Sequence, residues 1–148
     1  MASNPLLPIQ TGHPAPHRSR VGLAALLFGI GAAPLAWNFQ VLFSSALSGF
    51  VCYPHATPLA APLWGGSGPM MLAVSLTGIA IAIAAGLVSW RSWRHTSGER
   101  PGSFHHLLDL GEGRTRFMAT VGMLTSALFL IALAFGLSAL CLVPPCGG

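Results

Sequence analysis

Cys52, Cys141 and Cys146, together with His55 three residues after the first of them, are the residues whose types could do chemistry. Thiolates and an imidazole are ligands for copper or zinc, and thiols in an oxidising compartment pair into disulfides. Three cysteines allow one internal bridge at most. Cys52 and Cys146 are the preferred partners, because both should lie beyond the hydrocarbon of a membrane while Cys141 still falls within a helical span. Closing so long a loop is worth up to about 4–5 kcal/mol in the chain-entropy account. The competing metal centre would use Cys52, His55, Cys141 and Cys146, a set divided between two segments with no compact ligand spacing. A Cys-x-x-Cys-His haem-attachment run is absent.

Polar residues inside apolar sequence are the second candidates. Asn38 and Gln40 follow Trp37 in a long charge-free tract. In hydrocarbon such groups must find hydrogen-bond partners. They could meet a quinone, a haem substituent or a chain of water; the simpler reading makes them interhelical glue. Histidine offers less. His13, His17, His95, His105 and His106 lie with the arginine-rich segments, and no histidine falls inside a span, where haem b ligation would need it. His105 and His106, being adjacent, would point to different faces of a helix, which favours a surface role. No glycine-rich nucleotide loop ending in Lys, no His-Glu-x-x-His and no nucleophile elbow occurs. The chain does not read as an enzyme, and no cofactor of its own is implied beyond contact with quinone or lipid.

The elements that must position these residues follow from the charges. The 148 residues are 53% apolar and 7% charged, with a mean hydropathy of +0.67; a soluble domain carries about a quarter charged residues. Arg18 and Arg20 lie near the N-terminus, and Arg91, Arg94, Arg100, Arg114 and Arg116 form a central block. Asp, Glu, Lys and Arg are absent between Arg20 and Arg91 and again after Arg116. The uncharged tracts predict three membrane helices, at about 21–50, 70–90 and 117–140, each long enough for a hydrocarbon core of roughly 30 Å. Loops kept on the cytoplasmic side are rich in Lys and Arg. An all-α bundle with its N-terminus cytoplasmic and its C-terminus periplasmic is therefore expected, in the inner membrane of a bacterium. The net charge of +4 is explained by this topology and by anionic headgroups at the cytoplasmic face, so nucleic acid is not an expected partner.

Residues 1–20 read as a flexible cytoplasmic tail, because Pro5, Pro8, Pro14 and Pro16 interrupt a polar leader and the first apolar core starts only at Val21. Pro34 should kink the first span. The connection from Val51 to Pro69 holds four prolines and three glycines and should be irregular, with Tyr53 and Trp64 at an interface. Phe104 to Leu110 could form a short amphipathic turn. Pro144 and Pro145 should stop the last span. Small residues recur at four-residue spacing: Ala25, Gly29 and Ala33; Gly78, Ala82 and Gly86; Gly122 with Ser126; Ala132 with Gly136. These permit close helix approach in lipid, and the second span is expected to pack on more than one face.

Two stretches carry a resemblance. One runs from Pro34 through Trp37 to Gln40 and on to Cys52; the other runs from Gly113 through Phe117 to Gly122, with Ser126, Phe129 and a closing Pro145 and Cys146. Together they resemble small bacterial membrane proteins encoded near haem–copper terminal oxidases and their assembly factors. The resemblance implies a non-catalytic accessory subunit packed at the periphery of a respiratory complex, and it transfers no catalytic residues. The alternatives are a membrane-anchored assembly factor that delivers copper or haem, and a small homo-oligomeric pore.

Overall fold

A computed structural model describes residues 22–55, 57–95, 114–143 and 146. They form three helices: α1, Leu23–Cys52; α2, Ser67–His95; and α3, Arg114–Leu142. All three are long and apolar enough to cross a membrane, and no strand occurs among the described residues. This fits a multi-pass membrane protein, because a backbone in hydrocarbon must satisfy its polar groups internally. The expected tail at residues 1–20, the turn at Phe104 to Leu110, His13, His17, His105, His106, Arg18, Arg20, Arg100, Pro144 and Pro145 lie outside the described residues.

Each helix differs slightly from its expected span. α2 begins at Ser67 instead of Met70, since Pro69 sits in the first turn, where its missing N–H has no helical partner to lose. It continues to His95, and Arg94 and His95 occupy the last turn, where the helix dipole favours cations. α3 starts at Arg114 and brings Arg116 to the positive end of its dipole, an unfavourable placement of about 0.3–1 kcal/mol. Arg116 offsets this by lying over the Trp93 ring, 5.5 Å from its centroid. α1 runs unbroken through Pro34. Asn38 Nδ2 donates to the Pro34 carbonyl at 2.9 Å, a side-chain bond one turn after the proline.

The core is a seam of small residues. Along α2 the buried residues are Ser67, Met71, Ser75, Gly78, Ala82, Ala85, Ser89 and Ser92, alternating steps of four and three from Met71 onward as in coiled-coil packing. Along α3, Thr115, Ala119, Gly122, Ser126 and Leu133 are buried with the same alternation; along α1, Leu26, Gly29, Ala33 and Gln40 are buried. Each helix packs on both others. Near the arginine end, Gly29, Ser89 and Gly122 meet so closely that a methyl on either glycine would strike the Ser89 hydroxyl. One layer on, Ala33, Ala82 and Leu133 fill the centre, flanked by Trp37, Ile79, Phe129 and Leu130. Ser126 Oγ donates to the Gly29 carbonyl across the α3–α1 contact at 3.3 Å.

This seam corrects the expected four-residue stripes. At 100° per residue, a strict four-residue step drifts about 40° around the helix each time. The row Gly78, Ala82 and Gly86 therefore drifts toward the edge of the seam at its last member, where Ala85 is the fully buried residue and Gly86, still facing Ser126 of α3, is half-buried. Gly136, three residues after Leu133, is itself exposed but faces Gln40 of α1, where an added methyl would lie 2.9 Å from Nε2. Through its one stripe of buried residues α2 packs against both α1 and α3.

At the other end, the segment from Tyr53 to Gly66 has no regular structure among its described residues. It folds back so that Leu59 N–H donates to the Cys52 carbonyl at 2.9 Å and Leu63 N–H to that of Val51 at 3.2 Å. These are carbonyls that a helix C-terminus leaves without intrahelical donors. Tyr53 and Trp64 are exposed there.

Candidate functional site

The cysteines meet at the end of the bundle opposite the arginines. Cys52 closes α1, and Cys146 follows α3 by four residues. Their Cα atoms are 5.2 Å apart and their sulfurs 2.09 Å, at disulfide distance. Both are buried, whereas Cys141 is a free, exposed thiol. His55 is exposed on the loop, and the described residues contain no grouping of three His, Cys, Asp or Glu side chains able to hold a metal ion. The set Cys52, His55, Cys141 and Cys146 is thus divided, with two of its thiols joined to each other.

The three polar candidates of α1 separate. Trp37 packs against the Ala33, Ala82 and Leu133 layer, with its ring centroid 5.5 Å from that of Phe129 in a tilted arrangement; it anchors the core. Asn38 is exposed and bonds within its own helix, so it is not glue between the helices of this chain. Positions two apart differ by about 200° around a helix, which sends Asn38 and Gln40 to different sides.

Gln40 does join two helices. It is 4% exposed, and its Nε2 donates to Ser75 Oγ at 2.8 Å. The Ser75 hydroxyl in turn donates to the Met71 carbonyl at 2.9 Å. A hydroxyl has one proton; since Met71 takes it, Ser75 can only accept from Gln40, which fixes which end of the amide faces it. The other end, Oε1, is buried and has no partner among the described residues. Room for the amide comes from Gly136: a methyl there would sit 2.9 Å from Nε2.

A half-open cleft of about 250 Å³ extends from this point toward the disulfide end. Gln40, Ser44 and Ser48 line its α1 side at four-residue intervals, and Ser75 and Met71 contribute from α2. Its α3 wall is Gly136 with the apolar Ala139, Leu140 and Val143. Sequence reasoning found Gln40 but missed Ser44, Ser48 and Ser75. The signal was available in the Gln40, Ser44, Ser48 spacing, which places three polar groups along one helix face. It is easily overlooked because a serine in a membrane helix can satisfy itself on the carbonyl four residues back, as Ser138 and Thr77 do here.

The basic end is simpler. Arg94 lies 5.7 Å from the Trp90 centroid and Arg116 sits over Trp93, so α2 and α3 share an aromatic–cationic rim. Such pairs anchor helices at a membrane–water boundary.

No family model, curated protein or solved structure matches this chain.

Proposed function

We propose that this chain is a non-catalytic accessory subunit of a larger integral membrane complex. The partner indicated by the sequence resemblance is a haem–copper terminal oxidase of a bacterial inner membrane. The observation that carries the partner is Asn38. This amide lies on the exposed side of α1 within a tract free of charged residues. Its one hydrogen bond among the described residues is the internal one to Pro34. An amide that faces hydrocarbon without full hydrogen bonding is costly, and a helix of another subunit would supply what lipid lacks. Leu35 and Leu42 on the same helix, and Leu124, Leu128, Ile131 and Phe135 along α3, extend the apolar exterior available for packing.

The arginines at one end and the disulfide at the other support an orientation with the basic rim cytoplasmic, in contact with anionic lipids, and the bridge periplasmic. A copper-delivery role has less support, because two of the three thiols that would carry the metal, Cys52 and Cys146, are joined to each other.

Purification of the tagged protein in a mild detergent tests the proposal. The expected result is co-purification with a complex that contains haem and copper. Asn38→Leu should lower the recovered complex about three- to twenty-fold, the range for one polar interhelical contact of about 0.6–1.7 kcal/mol, while the protein remains inserted and disulfide-bonded. Recovery of the wild-type protein alone, or only with a metal-free precursor, would replace the accessory reading with the assembly one.

A further inference from the structure

The cleft between Gln40 and the disulfide has two chemically distinct walls. One carries Gln40, Ser44, Ser48 and Ser75; the other carries Ala139, Leu140 and Val143. We propose that this cleft binds a neutral amphiphile whose head donates a hydroxyl hydrogen bond to Gln40 Oε1. Three observations lead there, and none depends on which complex the protein joins.

The first is the polarity of the vacant group. Gln40 Nε2 is committed to Ser75, and Oε1, buried and without a partner among the described residues, can only accept. A buried acceptor without a donor is destabilising, so the fitting ligand is a donor. The second is charge. None of the described residues lining the cleft is ionisable, so a phosphate, carboxylate or ammonium head would find no counter-ion among them and is strongly disfavoured. The third is depth. Gln40 lies twelve residues before Cys52, about 18 Å along the helix, and Ser48 about 6 Å. The polar wall thus descends from near the disulfide end far into the apolar zone, while the opposite wall stays hydrophobic. A small hydroxylated head at Gln40, with an apolar body along Ala139, Leu140 and Val143, matches both walls at once.

Two membrane sources share this chemistry: the phenolic hydroxyl of a hydroquinone and the alcohol of a diacylglycerol. The experiment uses the full chain in phosphatidylcholine nanodiscs under anaerobic conditions, with binding read by native mass spectrometry. Decylhydroquinone, its dimethyl ether and dioleoylglycerol are titrated separately. Whichever hydroxyl probe binds identifies the source. For the hydroquinone, the ether should bind about ten-fold more weakly, since it keeps the shape and loses the donor. Gln40→Met should weaken the hydroxyl probe by a similar factor and leave the ether unchanged. If that variant fails to fold, the Ser44→Ala, Ser48→Ala double variant replaces it and should weaken binding several-fold. The inference is overturned if neither hydroxyl probe binds, which would leave the cleft to water, if the ether binds as tightly as the hydroquinone, or if the substitutions leave affinity unchanged.

Discussion

Replacing Gly122 by alanine should destabilise the bundle by about 1–3 kcal/mol, the usual cost of an extra methyl in a close-packed core. The new Cβ would lie 2.5 Å from Ser89 Oγ, 3.2 Å from Ser89 Cβ and 3.3 Å from the backbone carbonyl carbon of Gly29. The hydroxyl contact can be relieved by rotating Ser89, but the Gly29 carbon is backbone and cannot turn aside. α1 and α3 must therefore separate by several tenths of an ångström. A gap of about 0.5 Å forfeits roughly a quarter of each dispersion contact, and the Ser126 bond to the Gly29 carbonyl, already 3.3 Å, lies in the same crossing. Two internal controls sharpen the test. A methyl on Gly31 meets nothing within 4 Å, and one on Gly86 meets Ser126 Cβ at 3.5 Å, an ordinary contact. Gly31→Ala and Gly86→Ala should be neutral or should gain up to about 1 kcal/mol from helix propensity. The assay is reversible unfolding in mixed micelles of dodecylmaltoside and sodium dodecyl sulfate, followed by tryptophan fluorescence. Adding Ser89→Gly to Gly122→Ala should restore part of the loss and leave the Gly29 part. If Gly122→Ala is as stable as Gly31→Ala, the described crossing of α1 and α3 is wrong.

The disulfide and the orientation can be tested in the same system. The bridge spans 94 residues, so Cys52→Ser or prior reduction should lower stability by up to about 4–5 kcal/mol; an unfolding midpoint indifferent to reductant would show that the pair contributes nothing. In a Cys141→Ser background, a membrane-impermeant maleimide applied to intact cells should label Cys52 and Cys146 only after reduction. Labelling that requires permeabilised cells would reverse the proposed topology.

Charge and hydropathy made the three helices legible because lipid imposes a coarse rule: a charge-free run of sufficient length has little choice but to span. The seam was less legible. Gly78 and Ala82 were found because small residues matter in lipid, but Gly86 was chosen over Ala85 by counting in fours around a helix that turns every 3.6 residues. Asn38 and Gln40 looked equivalent in sequence, two residues apart in one apolar tract. Their fates diverged because Ser75 lies opposite one, while the proline carbonyl one turn back holds the other. Ser44 and Ser48 were overlooked for a different reason, although their spacing from Gln40 places all three on one helix face. A serine that can bond its own helix raises no alarm, and their meaning appears only when Gly136 on α3 leaves space beside them. The disulfide partners were readable from which cysteines should clear the hydrocarbon, since Cys141 falls inside α3.

The bond between Cys52 and Cys146 also acts as a record of assembly order. Its two sulfurs belong to the end of the first helix and the segment beyond the third, so they can meet only when α1, α2 and α3 are all in place and α3 has run in the same direction as α1. A chain that has inserted only its first hairpin, or has threaded α3 backward, cannot form this bond. The presence of this bond thereby reports, in a single covalent link, that all three helices have reached their places.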